Sequence, residues 1–178
     1  MKDLFKFGII LSLICFASAG LLASVNNATE DTILQRKLAE ENSALKELFC
    51  NAYDFYRVES EDKKAYIALD ENKQPLGYVF KTKARGYSSV IESLVAIDLD
   101  DNIIDIKILS QNETPGIGTK ITEPQYLENF QGVRLSQSIN VDTISGATTS
   151  SLALIGSIEK DAQEIKLLVK DKIKEYEK

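Results

Sequence analysis

The chain has 178 residues, 44% of them hydrophobic, with 21 basic and 27 acidic side chains, a net charge of -6 and no histidine. That acidic balance argues against nucleic acid as a partner. With no histidine and only two cysteines, Cys15 and Cys50, there is no ligand set for zinc, haem or an iron–sulfur cluster, and no metal site is expected.

Residues 7–25 carry Ser12, Ser18 and Ser24 as their only polar side chains, among Ile, Leu, Phe, Ala, Gly and one cysteine. A helix of that length reaches across the hydrocarbon core of a bilayer. Lys2 and Lys6 precede the run, and the first charges after it are Glu30 and Asp31. The positive-inside rule then leaves the N-terminus in the cytoplasm and places everything after Val25 on the outer, periplasmic or extracellular, side of the cytoplasmic (inner) membrane. Ala17-Ser18-Ala19 also offers the small residues a signal peptidase uses, so a cleaved secretory signal is the competing reading. The apolar run continues through Leu21, Leu22 and Ala23, which a cleaved peptide does not need and a retained anchor does. Cys15 falls inside this run and Cys50 outside it, so the two are not expected to pair. Beyond the anchor about 150 residues remain, enough for one core of ordinary size.

Residues 29–49 read as a second helix. Thr32 and Gln35 have capping-box spacing, and Leu34, Leu38, Leu45 and Phe49 fall on or near one face. From residue 64 to 110 the period changes to that of strands, with candidates at 65–69, 77–83, 89–99 and 103–109. In the last of these Ile104, Ile106 and Ile108 alternate with Asp105 and Lys107. The acidic stretch 98–102 between the last two candidates lacks the glycine and distant glutamate of an EF-hand loop and is expected to be a hairpin turn, with no calcium.

Two loops carry the chemistry. Glu113-Thr114-Pro115-Gly116-Ile117-Gly118 is shaped by one proline and two glycines. About thirty residues later comes Asp142-Thr143-Ile144-Ser145-Gly146-Ala147-Thr148, where hydroxyls follow residues of little bulk. After it, Ile155, Ile158, Ala162, Ile165 and Val169 recur at three- and four-residue spacing, so a helix begins near Thr149 and Thr148 sits at its N-terminus. Unpaired N–H groups and the helix dipole favour a phosphate there. A run of Ser and Thr ahead of a helix is also what an ordinary cap looks like.

The order of these parts resembles the FMN-binding domain family, and within it the G subunit of the Rnf ion-translocating ferredoxin:NAD oxidoreductase, related to the C subunit of the sodium-pumping NADH:quinone oxidoreductase. The family has a very similar Glu-Thr-Pro-Gly-Leu-Gly loop, matched by residues 113–118, and a similar membrane-proximal helix, matched at Ala44-Leu45 and Leu48-Phe49, with Cys50 where a proline is common. It usually shows Gly-Tyr-Gly-Gly-Pro-Ile ahead of its strands; here Gly86, Tyr87 and Ile91 match, while Ser88 and Ser89 stand in place of glycines.

The resemblance implies FMN bound covalently through its phosphate to the hydroxyl of Thr148, with Glu113, Thr114, Gly116, Ser145, Gly146, Ala147 and Thr149 forming its site. It implies maturation by a separate flavin transferase, further subunits of a membrane electron-transport complex as partners, and no general acid–base pair or nucleophile that turns over. The expected protein is α+β: an N-terminal transmembrane helix, then one small domain with a mainly antiparallel sheet packed by helices. Its parts are a membrane anchor at 1–28, a membrane-proximal helix at 29–50 and the FMN-binding domain at 51–178. Two other readings remain open on the sequence: a stand-alone anchored flavoprotein of another extracytoplasmic chain, and a flavin-free binding module.

Overall fold

The computed structural model describes residues 2–60, 63–135 and 138–176. The chain divides into two compact units, residues 1–41 and 42–178. The first helix, α1, runs unbroken from Lys2 to Leu48. The two helices expected at 7–25 and 29–49 are therefore one. Thr29 shows why: its hydroxyl donates back to the carbonyls of Val25 (2.8 Å) and Asn26 (3.2 Å), as does Ser24 to Gly20 (2.8 Å). Such back-bonding satisfies a hydroxyl inside a helix, so the polar stretch that reads as a new N-cap starts nothing. Within the first unit Phe7, Leu11, Leu13, Phe16, Leu21 and Leu22 are all well exposed. The helix is long and apolar enough to cross a membrane.

The second unit is built on a meander of five antiparallel strands in the order β1-β2-β3-β4-β5. These are Asp54–Glu59, Lys64–Leu69, Pro75–Arg85, Val90–Asp98 and Ile103–Ser110. The four candidate strands read from the sequence are β2 to β5. The first strand, β1, was not expected, and its exposure explains that: Asp54, Tyr56, Arg57 and Glu59 face solvent on an edge paired only with β2, so no apolar alternation marks it. The acidic stretch 98–102 is a tight turn. The carboxylate of Asp98 accepts from the backbone N–H of Asp100 and of Asn102, both at 2.8 Å, so it caps its own hairpin.

Both faces of the sheet are covered, and that is why β4 reads as nearly continuous apolar sequence. On one face Tyr66, Ala68, Val79, Leu94 and Ala96 meet Ala44, Leu45, Leu48 and Phe49 from the end of α1. On the other face Ile67, Phe80, Val95 and Ile97 meet Leu154, Ile158 and Ile165 of the long C-terminal helix α3, Thr148–Tyr176. Between β5 and α3 the chain makes a one-turn helix α2, Pro124–Leu127, flanked by 3₁₀ turns at Gly118–Thr122 and Glu128–Phe130. Phe130 and Ile121 from this segment are fully buried in the second core. Those two anchors hold the loop after β5 against the first turns of α3, which brings the two chemically marked loops together.

Candidate functional site

The site is organised around a buried carboxylate. Glu113 is 4% exposed, and a charge so far from water needs partners. It has five. The backbone N–H groups of Tyr87 and Ser88 donate to it, both at 3.1 Å, as does that of Ser89 at 2.8 Å. The Ser89 hydroxyl adds a fourth bond at 3.1 Å and the buried Ser150 hydroxyl of α3 a fifth at 2.6 Å. One side chain thus ties the turn between β3 and β4, the loop after β5 and the first turn of α3 to each other. Burial by itself pushes the Glu113 carboxyl up, but the Ser150 hydroxyl and the Ser88 and Ser89 donors outweigh it and hold the group below the usual carboxylate range.

The residues around Glu113 are small because it needs the room. A Cβ on Gly86 would sit 2.6 Å from Glu113 Oε1, and one on Gly118 would sit 2.8 Å from Glu113 Cβ. Ser88 and Ser89, where the resembling family has glycines, do not obstruct the turn. Their N–H groups serve the carboxylate, and Ser89 Oγ also accepts from the N–H of Asn112 at 2.8 Å.

Beside this bracket a groove of about 320 Å³ opens, lined by Tyr87, Glu113, Thr114, Ile117, Gly118, Gly146, Ala147, Thr149 and Ser150. Of the residues expected to form the site, Glu113, Thr114, Gly146, Ala147 and Thr149 line it together. Gly116 and Ser145 lie outside the lining, in the turns that carry its walls; Gly116 and Gly146 have φ of 73° and 83°, the left-handed region glycine enters freely. Thr148 is exposed and is the first residue of α3, between Ala147 and Thr149. Spacing alone did not single out Tyr87, Ile117, Gly118 or Ser150. Tyr87 and Ile117 are exposed apolar side chains at the rim, 73% and 48% open, and Ser150 reads in the sequence as one hydroxyl among five.

An FMN phosphate fits the start of α3. Ser151 N–H is the first of the helix to find a carbonyl, that of Ala147 at 2.9 Å. The N–H groups of Thr148, Thr149 and Ser150 have no protein acceptor among the described residues. These are the free donors that any helix start has, and a phosphate can accept from them. Ile144 N–H bonds Ser151 Oγ at 3.2 Å and Ala147 N–H bonds the Ile144 carbonyl at 2.9 Å, so the loop entering the helix is fixed. No group of three or more potential metal ligands occurs among the described residues.

An α+β domain with an antiparallel meander packed by helices is also the fold of a solved structure. The crystal structure of Shewanella oneidensis NqrC superposes with a TM-score of 0.50 at 20% identity, over 62% of this chain and 65% of that one. Residues 86–163 match the FMN-binding domain model and residues 1–48 match the RnfG N-terminal region. The chain carries an FMN-binding domain behind an RnfG N-terminal region, and over nearly its whole length it is similar to G subunits of ion-translocating oxidoreductase complexes. Among its relatives is the G subunit of the proton-translocating ferredoxin:NAD(+) oxidoreductase complex of Clostridium ljungdahlii, 27% identical over 87% of this chain and 88% of that protein. The G subunit of the Na(+)-translocating ferredoxin:NAD(+) oxidoreductase complex of Acetobacterium woodii is 27% identical over 91% of each. The G subunit of the ion-translocating oxidoreductase complex of Escherichia coli O157:H7 is also 27% identical, over 90% of each.

Proposed function

We propose that this chain is the FMN-carrying subunit of an ion-translocating electron-transport complex of the inner membrane, with the flavin phosphate esterified to Thr148. The observation that carries the reading is the meeting of two loops about thirty residues apart in sequence. Thr114, Ile117 and Gly118 of one line the same groove as Gly146, Ala147 and Thr149 of the other, and the exposed Thr148, itself outside the lining, stands between Ala147 and Thr149. Similarity along nearly the whole length of three G subunits supports the complex as the setting.

Bound FMN supplies one- and two-electron transfer. The chain's own residues do the rest. With FAD as donor on a separate transferase, the Thr148 hydroxyl would be the acceptor of the flavin phosphate, losing its proton as AMP leaves. The orphan N–H groups of Thr148, Thr149 and Ser150 then hold the esterified phosphate. Glu113 keeps both walls in register, and the exposed Tyr87 and Ile117 provide apolar flanks for a flat ring. Covalent attachment suits a carrier outside the cytoplasm, where FMN released on a change of redox state is lost by dilution. Residues 7–25 hold the domain to the membrane, with the N-terminus inside.

Thr148→Val in the native host tests the attachment. It replaces an exposed hydroxyl by a methyl and leaves the helix start in place, so the protein is expected to accumulate normally while the flavin fluorescence of its denatured band on a gel disappears. Fluorescence retained at wild-type level moves the attachment elsewhere, first to Thr149. A reporter fused after Lys178 tests the topology; it is expected to be active only outside the cytoplasm and to stay with membranes. Release of a soluble protein beginning near Gly20 overturns the anchor.

A further inference from the structure

The charged residues of this chain are spread unevenly, and the groove beside Glu113 lies in the gap between them. They make up 27% of the sequence, yet residues 86–91, 114–119 and 143–158 contain none. Those segments are the turn between β3 and β4, the loop after β5, and the entry to α3 with its first three turns. They supply every residue of the groove lining except Glu113, which is buried. The groove therefore opens through a surface whose described lining holds no exposed charge, in a protein of net charge -6. Charge returns where the segments end, at the exposed Arg85, Lys120 and Asp142.

Three large apolar side chains project from that surface, one from each segment. Tyr87, Ile117 and Leu152 are 73%, 48% and 55% exposed. Tyr87 and Ile117 belong to the groove lining, whereas Leu152 lies outside it, one turn along α3 from Thr148. Each stands on a support that is fixed from below. The N–H of Tyr87 donates to Glu113 at 3.1 Å, that of Ile117 donates to the Thr114 carbonyl at 3.2 Å, and α3 is tied to Glu113 through Ser150 at 2.6 Å. One buried carboxylate thus joins the supports of all three. A single exposed apolar residue is ordinary, but three on joined supports within a charge-free surface have the make-up of an interface core, depleted in charge, anchored by an aromatic and ordered before binding.

The chemistry of this face selects its occupant. Nucleic acid and anionic lipid surfaces are met by lysine and arginine, and the three segments have neither. A second copy of the chain would bring another net charge of -6, a repulsion that an uncharged patch has no ion pairs to offset. An uncharged, apolar patch on a different protein meets neither obstacle. We propose that the face formed by Tyr87, Ile117 and Leu152 is the docking surface for such a patch on a partner protein. Burial of the three side chains supplies the affinity. The lack of charge supplies the selectivity, because a charged patch docked here would lose its water and find nothing to pair with. A protein docked at this place stands over the flavin, an assignment that rests on the complex-subunit reading above.

The test uses the full chain in host membranes with photoreactive benzoylphenylalanine in place of Leu152, one apolar side chain for another at an exposed position. Mass spectrometry of the adduct is expected to show one polypeptide other than this chain, joined through a segment without Asp, Glu, Lys or Arg, in equal yield at low and high salt. Gly156, one turn beyond Leu152 along α3, is the probe of charge, because a Cβ built on it meets nothing within 4 Å. Gly156→Glu and Gly156→Lys are each expected to cut the yield at least tenfold, while Gly156→Ala retains it. Adducts only with lipid or with a second copy, a charged segment in the adduct, no adduct, or a yield that responds to one sign of charge or to neither, each overturns the proposal. Flavin fluorescence of the same bands keeps the two readings apart. Where fluorescent bands are present, an adduct confined to dark ones belongs to a maturation enzyme and overturns the docking surface. If no band fluoresces and the charge-free adduct still forms, the flavin reading falls and the docking surface stands.

Discussion

On one side of the flavin groove Glu113 gathers five hydrogen bonds, is almost wholly buried and leaves its neighbours Gly86 and Gly118 no room for a Cβ. On the other side Thr148 and Thr149 are exposed, Gly116 has empty space where a Cβ would go, and three backbone N–H groups have no acceptor among the described residues. The first wall has its polar groups paired within the protein, and the second leaves donors open to solvent. Under the proposed attachment at Thr148 this asymmetry has a use: the closed wall fixes geometry in advance, and the open wall leaves the acceptor hydroxyl within reach of another enzyme. Substitutions should therefore divide by wall, with stability lost on one side and cofactor chemistry altered on the other.

The largest effect on folding is expected at Glu113. Glu113→Ala strands three backbone N–H groups and the buried Ser150 hydroxyl, and at about 1–3 kcal/mol for each unsatisfied donor, with water replacing some, the loss is about 3–5 kcal/mol. Glu113→Gln keeps the volume and serves as the pH probe. Because the folded carboxyl lies below its usual range, its contribution is fully present above the unfolded value and is lost as pH falls through the depressed one. Thermal unfolding of the detergent-solubilised protein from pH 7 downward is expected to show that acid-side loss in the wild type and a flatter profile in Glu113→Gln. Equal slopes for the two would mean that the carboxylate does not hold the wall.

How much of this division was legible beforehand follows from where the partners lie. Strands β2 to β5 and the start of α3 announce themselves, because alternation and three- to four-residue spacing are local patterns set by one buried face. The same rule hid β1, whose edge position buries too little to leave a pattern, and it placed a helix break at 26–28, where Ser24 and Thr29 on either side bond back to carbonyls of one continuous helix. The place of Thr148 at the start of α3 and of the 113–118 loop after β5 was legible from motif and order. The function of Glu113 as a bracket was not, since its donors stand 24 to 26 residues before it and 37 after it, a convergence that exists only once β4, β5 and α3 have packed.

Gly116 sharpens the comparison on the open wall. Its φ of 73° is a position where a β-branched residue costs about 1–3 kcal/mol, and the free space around it means that the whole cost is in the backbone. Gly116→Val is expected to lower both stability and flavin content, and Gly116→Asn, which enters the left-handed region more easily, to recover most of both. If valine is tolerated without loss, the 113–118 loop is not held in the shape the groove needs.

The smallest effect separates binding from tuning, and it falls at Thr114, where the two walls meet. Its side chain is exposed in the groove, and its hydroxyl lies 3.4 Å from that of Ser88, too far for a strong bond, so it is free to turn toward a ligand. Its backbone carbonyl, by contrast, is engaged by the N–H groups of Ile117 and Thr119, both at 3.2 Å, and holds the loop whatever the side chain is. Thr114→Ala should therefore leave stability and covalent flavin content unchanged, because neither the loop nor the Thr148 hydroxyl depends on the lost group. A hydrogen bond worth about 1 kcal/mol that is stronger to one redox state than to the other shifts the midpoint potential accordingly. A redox titration at full flavin occupancy reads that shift. An unchanged potential would show that Thr114 faces the groove without touching the cofactor and would confine the tuning of the flavin to the apolar flanks at Tyr87 and Ile117.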